Sequence, residues 1–240
     1  MAKTQRLDKI LSNMGYGTRK EIKSIIKKGL VRVDGNVIKD SSMHIDPCES
    51  QIEIDGEKLV YKEFIYIMMN KPQGVISASF DPRVETVVDL LDKKYQIFNP
   101  FPVGRLDKDT EGLLILTNDG KLAHELLSPK KHVPKTYFAY VEGKVSEKDI
   151  ISFKEGVVLD DEYMTLPAKL RILKSDFISE IVLTIYEGKF HQVKRMFEAV
   201  GKKVVYLKRI AMGDLKLDET LDLGEYRELT EEELNTLKDR

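Results

Sequence analysis

The chain has 240 residues, is 42% hydrophobic and 33% charged, and carries a formal net charge of −1, which excludes a disordered polypeptide and fits one or two folded domains. No apolar run approaches the roughly 18 residues needed to span a bilayer, and the start, Met-Ala-Lys-Thr-Gln-Arg-Leu-Asp, lacks the apolar core of a signal peptide. The single cysteine, Cys48, excludes an internal disulfide framework and a Cys-rich zinc site, so an intracellular, cytoplasmic location is expected.

Leu7, Ile10, Leu11 and Met14 form one apolar stripe and predict a helix over residues 6–16, stopped by Gly15 and Gly17. Thr18 with Glu21 three residues on forms a capping box. The helix that it starts has Ile22, Ile25 and Ile26 on its core face and ends at Gly29. Its other positions include Arg19, Lys20, Lys23, Lys27 and Lys28, and residues 1–32 as a whole hold nine Lys/Arg against two acids. Val31 and Val33, the turn Asp34-Gly35 and the return Val37-Ile38 read as a β-hairpin. Residues 51–59 read as a further strand and turn, and a domain boundary is expected near Val60–Glu63.

Residues 64–70 read as a buried strand, ended by Lys71-Pro72-Gln73-Gly74. A loop over 75–83 and a short helix over Thr86–Leu91 follow. Residues 103–120 combine a glycine turn, a charged loop and the apolar run Leu113–Leu116, closed by Asn118-Asp119-Gly120. The run predicts a short core strand, and a loop fixed on such a strand suits chemistry. Asp107, Asp109, Glu111 and Gly112 mimic the opening of a calcium loop. Position twelve would be Asn118 and positions seven to eleven are Leu-Leu-Ile-Leu-Thr, so calcium is rejected and no metal site is expected. What remains is a solvated acidic turn or a chemical loop, with Asp109 and Glu111 in turn and capping roles.

A short helix is predicted over Lys121–Leu127 and a strand over Tyr137–Val141, preceded by Lys130, Lys131, His132 and Lys135. Tyr137 and Tyr140 are most simply strand aromatics. A helix within 144–156 and strands over Pro167–Leu173 and Ile178–Tyr186 come next. A helix then starts near His191, with Val193, Met196, Phe197 and Val200 inward. Lys194 and Arg195 fall in its first turn, where the helix dipole disfavours cations, so a compensating anion is expected. His191 by itself reads as a structural histidine. Val204–Leu207 is a strand, and Leu229–Leu237 is an acidic helix with Thr230 and Glu233 as a capping box. Residues 188–209 carry seven bases against one acid, and residues 214–240 ten acids against four bases. Such blocks fit a polyanion partner or ordinary solvated helix faces.

Arg6-Leu7-Asp8-Lys9, Thr18-Arg19-Lys20-Glu21 and Gly29-Leu30-Val31-Arg32-Val33-Asp34-Gly35 resemble the S4 RNA-binding domain over roughly residues 5–50. The resemblance implies RNA contacts from Arg6, Lys9, Arg19, Lys20, Lys23 and Lys27, weakened by salt.

Four further blocks, in order, resemble the RsuA-type ribosomal RNA pseudouridine synthases. They are Asn70-Lys71-Pro72-Gln73-Gly74, then Gly104-Arg105-Leu106-Asp107 with Thr110-Glu111-Gly112-Leu113-Leu114, Lys135-Thr136-Tyr137, and Glu187-Gly188-Lys189-Phe190-His191-Gln192-Val193-Lys194-Arg195-Met196. The resemblance implies an α+β fold. An S4 domain of two helices and a β-hairpin over residues 1–60 would precede a catalytic domain over 61–240, built on a mixed, mainly antiparallel sheet flanked by helices. Asp107 would be the catalytic carboxylate, attacking uridine at the ribose anomeric carbon or at C6. Tyr137 would stack on the target base, and Lys194 would pair with Asp107, with Arg195 as the alternative partner. Arg105 would fill the gap left by the flipped uridine, and Lys135, His191, Gln192 and Arg195 would contact RNA. The implied reaction needs no cofactor.

The implied partner is ribosomal RNA or a subunit assembly intermediate, not a membrane, and the chain is expected to act as a monomer. The His191–Phe197 block and the acidic C-terminal helix are most similar to family members acting on uridine 516 of 16S rRNA. Action on a 23S rRNA uridine, and a non-catalytic role as an rRNA-binding assembly factor, are the alternatives.

Overall fold

The computed structural model describes residues 4–238, which divide into two compact units. One takes in the chain through Ile65 together with Asp92–Asn99; the other takes in Tyr66–Leu91 and the chain from Pro100 onward. No helix among the described residues is long and apolar enough to cross a membrane.

The first unit opens with β1 (Gln5–Arg6), α1 (Leu7–Asn13) and α2 (Arg19–Lys27). The Thr18–Glu21 capping box forms in both directions and sets the start of α2. β2 (Val31–Val33) and β3 (Asn36–Val37) make a hairpin through Asp34 and Gly35, both at positive φ, the turn that matches strand twist. β4 (His44–Ile45) pairs with β1. β5 (Ile52–Ile54) and β6 (Glu57–Lys58) repeat the hairpin device with Asp55-Gly56. Leu7, Ile10, Leu11, Ile22, Ile26, Val31, Val33 and Ile52 share one core. Arg6, Lys9, Arg19, Lys20, Lys23 and Lys27 are left exposed.

The second unit is built on a nine-stranded sheet among the described residues. β7 (Tyr66–Lys71) is followed by the short α3 (Lys93–Gln96), which clusters with the first unit. Then come β8 (Phe101–Pro102), β9 (Glu111–Thr117), α4 (Gly120–Leu127), β10 (Lys135–Glu142), α5 (Glu147–Glu155), β11 (Lys169–Lys174) and β12 (Ile178–Ile185). α6 (Gln192–Ala199), β13 (Lys203–Met212), β14 (Leu215–Lys216), β15 (Tyr226–Glu228) and α7 (Glu231–Lys238) complete it. The sheet order is β11-β12-β10-β13-β9-β7-β15, with β14 on β13 and β8 on β9. All pairings are antiparallel except β13 with β9. β9 lies between β13 and β7, and all seven of its residues are buried. That is why its sequence is a continuous apolar run and not an alternation.

Two local expectations change. Thr86–Leu91 is a turn, not a helix: the Thr86 amide and hydroxyl both donate to Asp89 Oδ2 at 2.8 Å. With the Asp89 amide donating back to Thr86 Oγ1 at 3.3 Å, these bonds make a capping box, but the chain continues only as a turn. The helix in this region is α3, a few residues later. β13 continues past Leu207 to Met212, because its inward positions include the buried Arg209, which masks the strand pattern.

Candidate active site

The loop between β8 and β9 is fixed from several sides. The Val103 amide donates to Ile115 O at 2.8 Å, and the Gly74 amide to Lys108 O at 2.8 Å. Ser77 Oγ donates to Leu106 O and accepts from Leu106 N, both at 3.0 Å. The Lys71 ammonium is fully buried and donates to Pro72 O at 2.9 Å, Asp107 O at 3.2 Å and Thr110 O at 3.0 Å. Burial pushes its pKa down to about 8, against the opposing pull of Asp107, Asp109 and Glu111. Gly112, at φ +100°, lets β9 approach β13. A Cβ there would lie 2.2 Å from the Arg209 carbonyl oxygen, which only glycine avoids.

The Asp107 carboxylate, with 24% of its side chain exposed, is met by α6. Lys194 Nζ lies 3.1 Å from its Oδ2, and His191 Nε2 lies 3.6 Å from its Oδ1. The same ammonium donates to Asp109 Oδ1 at 2.6 Å. Burial works against the Lys194 charge, but Asp109 and Asp107 outweigh it and its pKa rises. The hydrogen bond from Lys194 holds Asp109 below the usual carboxylate value. Asp109 sits in the turn closed by the Thr110 amide on Asp107 O at 3.1 Å, and it is an ion-pair partner as well. Glu111 has no capping role: it is buried in β9 and accepts from Tyr206 Oη at 2.6 Å. Arg195 is engaged by Asp160 and Asp161, so Lys194, and not Arg195, faces Asp107. Both cations of the first turn of α6 thus have the anions that the helix dipole called for.

A cavity of about 440 Å³ opens in front of Asp107, within the roughly 300–1,000 Å³ usual for small-ligand sites. Arg105, Asp107, Thr110, Lys135, Tyr137 and Arg209 are among its lining residues. Arg105 is exposed at this cavity, and Tyr137, 8% exposed, sits on its wall. His191 is the residue before α6 and takes a left-handed conformation. Gln192 is buried: its Nε2 donates to Glu187 Oε1 at 2.8 Å and its Oε1 accepts from Lys189 N at 2.9 Å. Glu187 also accepts from Tyr163 Oη at 2.7 Å and Leu166 N at 2.9 Å. This cluster ties the start of α6 to the chain before β11. Lys135 is buried too, donates to Val133 O at 2.9 Å, and is pushed down to about 8 by burial and by Arg209, with Glu187 opposing.

Asp107, Tyr137, Arg105, Lys135, His191 and Gln192 therefore line one cavity, with Lys194 joined to it through Asp107, whereas Arg6, Lys9 and the α2 cations belong to the other unit. Sequence reading gave no role to Lys71, Arg209, Tyr163 or Glu187. Lys71 stood in a recognised block, but its ammonium acts on backbone atoms, for which side-chain patterns carry no signal.

A carboxylate beside a fixed ammonium, facing a cavity with a tyrosine wall, can act as a nucleophile toward a planar ligand. Residues 65–199 match the family model described as RNA pseudouridylate synthase. The chain belongs to the RNA pseudouridylate synthase family. Residues 5–50 of this synthase match the S4 domain model. Over 235 residues, 98% of each chain, it is 56% identical to an uncharacterized RNA pseudouridine synthase, YtzG, of Bacillus subtilis. It is 41% identical to ribosomal small subunit pseudouridine synthase A of Vibrio cholerae, covering 97% of this synthase and 99% of that protein. It is 39% identical to ribosomal large subunit pseudouridine synthase B of Bacillus subtilis, over 98% and 96% of the two chains.

Proposed function

We propose that this synthase isomerises a uridine of ribosomal RNA to pseudouridine, and that the target is uridine 516 of 16S rRNA. The observation that carries the chemistry is the Asp107 carboxylate, which lines the cavity with Tyr137 and lies 3.1 Å from Lys194. Asp107 is the nucleophile, and the neighbouring ammonium holds its carboxylate in place. Tyr137 stacks on the target base, an interaction worth roughly 1–3 kcal/mol. Arg105 occupies the space the flipped uridine leaves, offsetting part of the few kcal/mol that flipping costs. The exposed cations of α1 and α2, with Arg6, hold the phosphate backbone. The protein works as a monomer in the cytoplasm, needs no cofactor, and takes free rRNA or an assembly intermediate as substrate. Residues 1–60 act as the RNA-binding domain and 61–240 as the catalytic domain.

The small-subunit relative supports the 16S target. The large-subunit relative, nearly as similar, supports a second reading in which the target is a 23S rRNA uridine. Mapping pseudouridine in total rRNA from a strain lacking the protein separates them: loss at 16S position 516 upholds the first reading, and loss at a 23S position the second. Asp107→Ala should abolish pseudouridine formation and leave RNA affinity intact; full activity in that variant would overturn the assignment of the nucleophile.

A further inference from the structure

Two buried cations on the cavity wall are not used by the chemistry above. Arg209 is 2% exposed and lies opposite Tyr137 across the β10–β13 pairing. Its Nε donates to Leu113 O at 2.8 Å, and its Nη2 has no partner among the described residues. Lys135 is two residues before Tyr137 on the same strand, buried, and bonded through Nζ to Val133 O. Glu187, the carboxylate that favours the Lys135 charge, is already held by Tyr163, Leu166 and Gln192. Thr110, on the same wall, is 1% exposed, and its Oγ1 also lacks a partner. A buried guanidinium with an unpaired nitrogen is costly, and such groups are retained where a ligand completes them.

The isomerisation creates a need for these donors. When the bond between C1′ and N1 breaks, its electron pair leaves with the ring, and the resulting uracil anion shares its charge among N1, O2 and O4. If Asp107 instead adds first at C6, the charge again moves onto the ring, at C5 and O4. The ring then turns, C5 bonds to C1′, Asp107 is released, and the C5 proton is lost while N1 gains one. No oxidant or outside reactant enters.

We propose that Arg209, assisted by Lys135, is a catalytic residue that hydrogen-bonds a ring carbonyl of the target uracil and stabilises the negative charge on the ring while it is detached. This inference rests on the reading of the cavity as the uridine site. Directly opposed residues on antiparallel strands have Cβ atoms about 4.5–5.5 Å apart, so a base stacked on Tyr137 lies within reach of the Arg209 fork. A guanidinium presents fixed, planar donors to a planar carbonyl edge and does not reorganise during the reaction. Burial and Arg209 depress Lys135 to about 8, and an anion arriving beside it restores its preference for the charged form.

The test compares wild type with Arg209→Gln and Lys135→Met in single turnovers, on 16S and 23S rRNA transcripts made with uridine or with 5-fluorouridine. Nuclease fragments spanning the modified position are digested to nucleosides, and chromatography with mass detection separates the unchanged nucleoside from its isomer of equal mass and reads its consumption. Fluorine stabilises the ring anion, and its presence at C5 blocks the final proton loss, so bond breaking is read alone. Arg209→Gln should be ~10²–10³-fold slower on uridine, the usual loss for one preorganised charge-stabilising donor. The deficit should shrink on 5-fluorouridine, with RNA affinity unchanged. Equal slowing on both substrates, or a wild-type rate, overturns the proposal. Should Arg209→Gln fail to fold, Lys135→Met keeps the stem and removes the charge. It should show the same contrast in smaller degree; no slowing, or slowing alike on both, overturns it. A wild-type protein that converts no uridine in either transcript instead overturns the function proposed above, and this inference with it.

Discussion

Lys194 serves two carboxylates with one ammonium, and the shorter contact is to Asp109, not to Asp107. Asp109 thus holds the lysine in place and competes with the nucleophile for its charge. Asp109→Asn should lower activity less than tenfold, whereas Lys194→Met should lose about 10²-fold or more, as expected for removal of a group that stabilises charge at a reacting centre. Steady-state rates on rRNA transcripts check both. Lys71 and Lys135 give a pH signature. Each has a folded pKa near 8 against an ordinary value of 10.5. Between those values the unfolded chain binds more protons than the folded one, so these groups make stability rise with pH; below about 8 both states are protonated and they contribute no slope. Urea unfolding from pH 7.5 to 10 should show the rise, and Lys71→Met and Lys135→Met should each flatten it. Lys71→Met should also lose stability at pH 7, because the carbonyls of Pro72, Asp107 and Thr110 lose a buried donor, at about 1–3 kcal/mol for an unsatisfied group.

The β9–β13 pair decides where the Asp107 loop sits. These strands run parallel, with Arg209 beside Gly112, and the missing side chain at 112 is what allows the contact. Gly112→Ala puts a methyl against backbone and also forces an L side chain to positive φ. Neither strain can be relieved by a rotamer change. The variant should lose several kcal/mol of stability, a magnitude associated with strain at a special backbone position, and should lose activity even where it remains folded. Thermal unfolding and turnover measured on one preparation separate the two effects. In the other unit, Thr18→Ala should cost about 1 kcal/mol through loss of the cap, and leave turnover on saturating RNA unchanged. α2 begins where the sequence says because Thr18 and Glu21 bond to each other's backbone; that signal lies within four residues. The same reciprocal bonds between Thr86 and Asp89 start only a turn, because a cap fixes where a helix can begin and not whether it continues.

Across the molecule, the charge asymmetry visible in the sequence becomes an exposed cationic set on the N-terminal unit: Arg19, Lys20, Lys23 and Lys27 with Lys9. Replacing Lys20, Lys23 and Lys27 with Ala should weaken rRNA binding and flatten its salt dependence, because fewer counterions are released. An unchanged salt slope would place the RNA contacts elsewhere. The sequence by itself determined the Thr18 and Thr230 caps, the Asp34-Gly35 hairpin, the buried run of β9, the unmet cations at the start of α6 and, through its ordered blocks, the family. These signals are short-range or compositional, and a linear chain displays them directly. Only the tertiary structure decided that Lys194 and not Arg195 faces Asp107, that Asp109 shares the ammonium, and that Lys71 clamps the loop through carbonyl oxygens. It alone set Arg209 beside Tyr137. Those relations depend on the strand order β10-β13-β9-β7, in which residues far apart in the chain become neighbours through backbone pairing, and a residue's type does not reveal which strand will lie beside it.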